Sequence, residues 1–189
     1  MKQDERAPFD RALKRGRPAA YSPGEFVGQE GFMRASEILS LARRAGIAPG
    51  VSVLDLCCGV GGPGRLITSE LGCTYLGVDF SADAVAIARD HAGDLDCRFE
   101  IARIPPVPEG PYDVVLMLEA MLAIPDKVAL LHDISAVLNM GGRFIFTLEE
   151  GPALTDEERA SMPGSGARES LVKEPARPCQ GRAASPMAR

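Results

Sequence analysis

The sequence is poor in the residue types that several kinds of binding protein depend on. Tryptophan is absent and aromatic residues make up only 5% of the 189 residues, so nucleic-acid bases have no obvious platform on which to stack. The net charge of −5 also disfavours non-specific binding to nucleic acid. No apolar run approaches the roughly 20 residues that a membrane span needs. We therefore expect neither a nucleic-acid partner nor a membrane-spanning segment.

The cysteines and histidines do not follow a metal-binding pattern. There are two histidines and five cysteines, and the cysteines lack C-x-x-C spacing. An odd, scattered set of cysteines is typical of reduced thiols in the cytosol, not of a disulfide framework or a zinc site. The N-terminus is charged, with no apolar stretch behind it, which argues against a secretion signal. These features predict a cytoplasmic protein without a bound metal.

What the chain does have is the composition of an ordinary globular domain. Hydrophobic residues make up 46% and charged residues 25%, and the length suits one domain with a core of its own. Residues 1–20 are charged and interrupted by proline, which predicts a mobile arm. Residues 21–162 are predicted to form the folded domain. Residues 163–189 are rich in Gly, Ser, Pro, Ala and Arg without periodicity, which predicts a disordered tail.

One stretch, residues 51–64, combines a buried strand with a glycine-rich turn. Its sequence is V-S-V-L-D-L-C-C-G-V-G-G-P-G. The apolar run predicts a strand that is buried on both faces, and Asp55 interrupts it near its end. The glycines let the backbone turn tightly and approach a ligand, and Pro63 suits the first turn of a helix. Strand, turn and helix together predict the first half of a nucleotide-binding β-α-β unit.

Two classes of nucleotide cofactor are compatible with this turn. Gly59, Gly61 and Gly64 satisfy the G-x-G-x-x-G spacing of NAD-binding turns, a weak signal alone. Asp55 argues against NAD, because a buried carboxylate needs a partner and an ammonium-bearing cofactor could supply one. V-L-D-L-C-C-G-V-G resembles motif I of class I S-adenosylmethionine-dependent methyltransferases, V-L-D-x-G-x-G-x-G, with Cys57 replacing the first glycine. The resemblance implies that Asp55, through the turn formed by Cys57, Gly59 and Gly61, holds the methionine end of S-adenosylmethionine.

A second carboxylate ends the next predicted strand, residues 73–79. Asp79 follows Gly59 by roughly 20 residues, a spacing that places it at the tip of the neighbouring strand, where it can accept both ribose hydroxyls. Ser81 is predicted to cap the helix that follows, over residues 82–91. The sequence G-V-D-F-S-A-D-A-V-A-I-A-R resembles the second motif of the same family. This resemblance implies that Asp79 binds the ribose and that Phe80 flanks the adenine.

The third predicted strand, residues 97–101, departs from the family pattern at its end. Family members often carry G-D-A there, with the aspartate bonded to the adenine amino group. This chain lacks that aspartate. Adenine recognition is therefore expected from backbone groups near Ala102 and Arg103, or from Glu100 after a slip of one residue.

The fourth strand, predicted over residues 112–118, resembles the F-D-V-V signature of the family with its Y-D-V-V. Leu118 and Glu119 leave its carboxyl end, where open α/β sheets bind ligands, so both are expected beside the cofactor. Glu119 is also the first candidate for a catalytic, substrate-facing base. Glu149, at the end of a fifth strand predicted over residues 143–148, is the second candidate. The alternative for each is an ordinary exposed loop carboxylate.

Further elements are predicted on either side of these strands. A helix ending at Arg44 resembles the N-terminal cap of small-molecule methyltransferases, which implies that it partly covers the cofactor and contributes to the substrate pocket. The turn-rich residues before this helix either line that pocket or pack the cap on the core, and the candidates are Tyr21, Phe26 and Gln29. After strand four we predict a helix over residues 127–138. Residues 139–143 resemble L-K-P-G-G-R, the family's turn before strand five.

These elements predict an α/β fold with helices on both faces of a sheet, and the resemblance to the family implies a Rossmann-like doubly wound sheet with strand order 3-2-1-4-5. Complete family members have strands six and seven, and no stretch after Glu150 is predicted to supply them, so these C-terminal strands are expected to be missing. Strand five then becomes a sheet edge that is open to pairing. A homodimer through that edge, a natural short form and a truncated or frame-shifted C-terminus are alternative explanations, and the Arg/Pro/Ala-rich tail favours the last.

The resemblance implies methyl transfer from the cofactor S-adenosyl-L-methionine to an oxygen or nitrogen of a small-molecule acceptor. The N/D-P-P-Y/F signature of amino-group DNA and glutamine methyltransferases does not follow strand four. Two alternatives remain open. The missing strands are compatible with a non-catalytic or truncated S-adenosylmethionine-binding protein. An NAD-dependent dehydrogenase would share the glycine turn and Asp79, but it does not account for Asp55, Y-D-V-V and L-N-M-G-G-R together.

Overall fold

The computed structural model describes residues 15–148 and Thr155. Within this part of the chain there are five strands: β1 Ser52–Leu56, β2 Thr74–Asp79, β3 Cys97–Ile101, β4 Tyr112–Met117 and β5 Leu138–Phe146. The α-helices are α1 Ala35–Arg44, α2 Gly62–Leu71, α3 Ala82–Asp90 and α4 Lys127–Val137, and short 3-10 helices span Arg17–Ala20 and Met121–Ala123. The predicted tail and Glu149 lie outside the described residues, and the predicted domain boundaries remain predictions.

The strands form one parallel sheet in the order β3-β2-β1-β4-β5, which confirms the predicted order. β1 lies at the centre, so that Asp55 is opposite Gly77 on β2 and Leu116 on β4. Since every strand runs in the same direction, all the carboxyl ends meet at one edge of the sheet. Open α/β sheets bind their ligands at this edge.

Helices cover both faces of the sheet, as the doubly wound prediction requires. On one face, α1, α2 and α3 pack on alternate residues of β1, β2 and β4, such as Val53. On the other face, α4 and the loop that carries Val107 pack on the intervening residues, such as Leu54. Both Val53 and Leu54 are buried, which explains why β1 reads as an almost continuous apolar run.

The helix ends follow their local sequence signals. The Ser81 hydroxyl accepts a hydrogen bond from the Ala84 amide at 3.3 Å, which confirms the predicted cap of α3. Pro63 lies in the first turn of α2 as predicted. After the end of α1, Gly46 adopts a left-handed φ of +81°, and its amide donates to the carbonyl of Arg43.

The predicted turn at residues 139–143 is wrong as a boundary of strand five. β5 begins at Leu138, which lies opposite Tyr112, whereas Arg143 lies opposite Val114, so the intervening residues form a bulge within the strand. Asp113 holds this end of the sheet together, because its carboxylate accepts hydrogen bonds from Ser52 and from the Asn139 side chain. Leu138 pairs with Tyr112, which is distant in the sequence. The turn pattern of residues 139–143 therefore could not predict that the strand begins before the glycines.

No described helix is both long and apolar enough to cross a membrane.

We expect Gly64→Ala to destabilise the protein, because Gly64 gives room to a buried ring. A Cβ added at Gly64 would lie 2.4 Å from two ring atoms of Tyr75, which is 1% exposed. Overpacking of this kind costs roughly 1–3 kcal/mol of unfolding free energy. Urea unfolding should show the loss, whereas Gly16→Ala is the matched control because an added Cβ there meets nothing within 4 Å. Equal stability of the two variants would contradict this packing.

Candidate cofactor site

A cavity of about 210 Å³ lies at the carboxyl edge of the sheet, beside residues 21–34, here called the cap segment. The ends of β1, β2 and β4 form its floor, and the cap segment and the start of α1 form its other side. Six of the residues predicted to bind cofactor line it: Asp55, Cys57, Gly59, Asp79, Leu118 and Glu119. The remaining lining residues are Gln29, Glu30, Gly31, Met33, Ile38, Cys58, Pro63 and Ala120.

Asp55 is a buried carboxyl group with a partner that the sequence did not predict. The Tyr75 hydroxyl on β2 donates a hydrogen bond to Asp55 Oδ2. Burial raises the pKa of Asp55 to about 7, an effect that the Tyr75 hydrogen bond opposes and the nearby charge of Asp79 increases. One sequence signal could have suggested this pair. Tyr75 lies in a predicted strand, two residues before the small Gly77, and its buried hydroxyl needs a hydrogen-bond partner.

The turn after β1 carries a non-glycine residue in the left-handed region. Cys57, in the position of the family's first glycine, has a φ of +65°, and Gly59 and Gly61 have φ values of +54° and +72°. Burial raises the pKa of the Cys57 thiol to about 12, so it remains a neutral thiol and not a nucleophile.

Gly61, unlike Gly59, does not line the cavity. A Cβ on Gly61 would come within 2.6 Å of the Phe99 ring and 2.9 Å of Ala88. The absence of a side chain at Gly61 therefore serves the close packing of the turn on β3 and α3. Cofactor contact by Gly61 remains a prediction.

Asp79 joins the glycine turn to the end of β2. Its Oδ2 accepts a hydrogen bond from the Gly59 amide at 3.0 Å, and its Oδ1 accepts one from the Ser81 amide at 2.9 Å. Each oxygen of a carboxylate can accept two hydrogen bonds, so both oxygens keep an acceptor position for a ligand hydroxyl. The predicted ribose-binding residue is thus fixed at the edge of the cavity.

The three residues predicted near the adenine lie together at the ends of β2 and β3. Phe80 is 65% exposed, and the Arg103 guanidinium lies over its ring, 5.5 Å from the centroid. The Ala102 amide donates to the carbonyl of Asp79 at 2.9 Å. These residues adjoin Asp79 but do not line the cavity itself.

Glu119 lies at the end of β4 and contacts the cap segment. Its carboxylate oxygens accept hydrogen bonds from the Phe32 amide at 2.8 Å and from the Met33 amide at 3.2 Å. Its own amide donates to Thr147 Oγ1 at 2.6 Å, and its backbone is left-handed, with a φ of +55°. The contacts of this candidate base are therefore with the backbone of the cap segment.

The cap segment is organised around the buried Gln29 side chain. Gln29 accepts a hydrogen bond from the Val27 amide at 2.7 Å and donates to the carbonyls of Glu25 and Met33 at 2.9 and 2.8 Å. Of the three residues predicted to line a pocket, only Gln29 does so. The rings of Tyr21 and Phe26 contact each other in a tilted arrangement, with centroids 5.5 Å apart and an interplanar angle of 44°, which fits the alternative that they pack the cap.

Every charged side chain that lines the cavity is acidic: Glu30, Asp55, Asp79 and Glu119. The Glu30 carboxylate lies against the glycine turn, since a Cβ on Gly59 would be 2.5 Å from Glu30 Oε2. Such a cavity favours a positively charged ligand and opposes the pyrophosphate of a dinucleotide. No group of His, Cys, Asp and Glu in the described part of the chain could hold a metal ion.

Comparison with known proteins agrees with this geometry. Residues 53–142 match a family described as "Methyltransferase domain", from β1 into β5. The chain is 29% identical over 126 residues to phosphoethanolamine N-methyltransferase 3 of Arabidopsis thaliana, and the matched region covers 65% of this chain and 25% of that protein. It is 32% identical over 129 residues to sterol 24-C-methyltransferase erg6 of Schizosaccharomyces pombe, and the matched region covers 65% of this chain and 33% of that protein.

A solved structure shares the fold. Phosphoethanolamine N-methyltransferase 2 of Haemonchus contortus, in complex with S-adenosyl-L-methionine, superposes with a TM-score of 0.61 at 23% identity, over 72% of this chain and 33% of that chain. The chain spans between a quarter and a third of the length of the two curated relatives, 25% and 33%. Residues 53–142 of this chain are therefore similar to a methyltransferase domain, in agreement with the resemblance of its motifs to class I S-adenosylmethionine-dependent methyltransferases.

Proposed function

We propose that this domain binds S-adenosylmethionine in the acidic cavity and transfers its methyl group to an oxygen or nitrogen of a small-molecule acceptor. The observation that carries the proposal is the lining of the cavity, where four carboxyl groups and no basic side chain face the ligand space. S-adenosylmethionine bears a positively charged sulfur and an ammonium group, which suit such a lining. The names of the curated relatives, a phosphoethanolamine and a sterol methyltransferase, support a small-molecule acceptor.

Different residues at the strand ends would bind different parts of this cofactor. Asp79, with an acceptor position on each oxygen, would take the ribose hydroxyls. Asp55 and the turn from Cys57 to Gly61 would hold the methionine end, where an ammonium group favours the ionised form of Asp55. Phe80 and the backbone near Ala102 and Arg103 would contact the adenine. When bound, the cofactor supplies an electrophilic methyl group.

The protein's contribution to the chemical step would be alignment of the acceptor and exclusion of water. The cap segment and Leu118 enclose one side of the cavity and limit the access of solvent. Glu149 remains a candidate base, but it lies outside the described residues. Glu119 also remains a candidate, although its carboxylate oxygens already accept hydrogen bonds from two backbone amides.

The two alternatives differ from the proposal in measurable ways. An NAD-dependent dehydrogenase would have to place a pyrophosphate beside Glu30 and Gly59, where the Glu30 carboxylate opposes it. A non-catalytic binding protein would take up the cofactor but produce no S-adenosylhomocysteine.

Isothermal titration calorimetry with S-adenosylmethionine, S-adenosylhomocysteine and NAD tests the proposal. We expect the first two ligands to bind in the micromolar range and NAD to show no saturable heat. Release of S-adenosylhomocysteine in the presence of a panel of amines, phenols and alcohols would then establish turnover. Binding of NAD alone would overturn the proposal, and cofactor uptake without turnover on any acceptor would favour the binding protein.

The proposal extends to assembly and location. Among the described strands, β5 pairs only with β4, and Phe146 near its end is 46% exposed. A homodimer would pair these edges, and light scattering would show its doubled mass.

The free thiols of the four described cysteines fit a reducing, cytoplasmic environment.

A further inference from the structure

We propose that Glu119 is a positioning residue, a latch that holds the cap segment closed over the cavity and so slows the release of the cofactor. This inference rests on the proposed function for the identity of the ligand. The latch itself is defined by the contacts of Glu119 with the cap segment on one side and with Thr147 on the other.

The hydrogen bonds at the Glu119 side chain run from backbone amides of the cap segment to its carboxylate. Both oxygens of the Glu119 carboxylate accept from the Phe32 amide at 2.8 Å, and one also accepts from the Met33 amide at 3.2 Å. Bonds from amides to an ionised acceptor are stronger than those between neutral groups. Phe32 and Met33 precede Arg34, the N-cap residue of α1, so these bonds join the end of β4 to the part of the cap segment that leads into the helix.

Gly31 leaves space for the Glu119 carboxylate. A Cβ at Gly31 would lie 1.8 Å from Glu119 Oε2 and 2.5 Å from Glu119 Cδ. The φ of Gly31 lies outside the left-handed region, so its backbone conformation does not itself call for glycine. A Cβ at Gly31 would therefore fit only if the Glu119 carboxylate moved away from its present position.

The backbone of Glu119 is held in an unfavourable conformation. Its φ of +55° is rare for a residue with a long side chain, and such conformations persist where the surroundings impose them. The Thr147 hydroxyl accepts the Glu119 amide at 2.6 Å, just after β5. This bond fixes the direction in which the Glu119 side chain leaves the sheet, toward the cap segment.

The latch also lies between the cavity and a second, open groove. Met33 lines both spaces, Glu119 lines the cavity, and Thr147 lines the groove along α1. The hydrogen bond from the Met33 amide to Glu119 therefore holds in place a residue that forms part of the wall of both spaces.

Two substitutions test this role from opposite sides of the contact. Gly31→Ala keeps the carboxylate but displaces it from the amides, whereas Glu119→Gln keeps the shape but removes the charge. Their matched controls are Gly16→Ala, where an added Cβ meets nothing within 4 Å, and Glu70→Gln on the exposed surface of α2. The readouts are the dissociation rate of radiolabelled S-adenosylmethionine and the hydrogen exchange of the Phe32 and Met33 amides in the cofactor-free protein.

We expect both variants to release S-adenosylmethionine roughly tenfold faster than the native protein, consistent with the loss of a charged hydrogen bond. Amide exchange at Phe32 and Met33 should accelerate in both, and the two controls should match the native protein. Native rates of release and exchange in Gly31→Ala and Glu119→Gln would overturn the latch. Faster release in Glu119→Gln but not in Gly31→Ala would also overturn the latch, because the Glu119 carboxylate would then affect release by some means other than its contact with the cap segment.

Failure of the proposed function gives a different result. If the native protein takes up no S-adenosylmethionine, the proposed function falls, and amide exchange still decides whether Glu119 holds the cap segment. Faster exchange in both variants would then keep the latch, whereas unchanged exchange would remove it.

Discussion

Asp79→Asn is expected to weaken binding of S-adenosylmethionine by about 10- to 100-fold. Hydrogen bonds to a charged group contribute roughly 1.5–3 kcal/mol, and each 1.4 kcal/mol corresponds to a factor of ten in affinity. The carboxylate already accepts the Gly59 and Ser81 amides through separate oxygens. An asparagine amide nitrogen would turn a donor toward either the Gly59 amide or the Ser81 amide, so Asp79→Asn would also lose one of these two hydrogen bonds.

Calorimetric titration of the native protein and the variant measures this loss. Asp90→Asn, an exposed substitution at the end of α3, is the matched control and should bind normally. Melting temperatures of all three proteins establish whether the variant is folded. Equal affinity of a folded Asp79→Asn variant would exclude Asp79 from the binding site.

The positions of Asp55, Gly59 and Asp79 could be predicted from the sequence because they depend on local order along the chain. Each feature can be recognised from a few neighbouring residues in the sequence. These features are a buried apolar run, a turn that needs left-handed glycine, and a carboxylate at the end of the following strand. Parallel pairing then brings the ends of β1 and β2 together, so that Gly59 and Asp79 are joined by a hydrogen bond. The strand order was implied by the family that these motifs resemble, and the structure confirms it.

The remaining features of the site depend on contacts between distant residues. Phe32 and Glu119 are 87 positions apart, and nothing near either residue indicates that one accepts a hydrogen bond from the other. Tyr75 reaches Asp55 only because Gly64 leaves room for its ring. The place of Glu119 after β4 was predicted correctly, but its side-chain contacts are set by the packing of the cap segment, and its role as a general base stays a prediction.

Asp55→Asn is expected to make the cofactor-free protein more stable above neutral pH. Burial raises the pKa of Asp55 from 3.8 to about 7, so between these values the folded state binds a proton that the unfolded state has lost. The free energy of unfolding therefore falls as pH rises from about 4 to 7, by an amount on the order of 4 kcal/mol, and stays reduced at higher pH. Asparagine has no proton to lose and can still accept the Tyr75 hydroxyl through its side-chain oxygen.

Urea unfolding at about pH 4.5 and about pH 8 separates this effect from a general change in stability. The variant should exceed the native protein by up to about 4 kcal/mol at the higher pH and by little at the lower, whereas Asp90→Asn should follow the native protein at both. Saturating S-adenosylmethionine should narrow the difference, because an ammonium group near Asp55 favours the ionised carboxylate that the native protein alone can supply. If Asp55→Asn is instead the less stable protein at about pH 8, then the cost of burying this carboxylate is already offset within the fold, and Asp55 is not held in readiness for a cationic ligand.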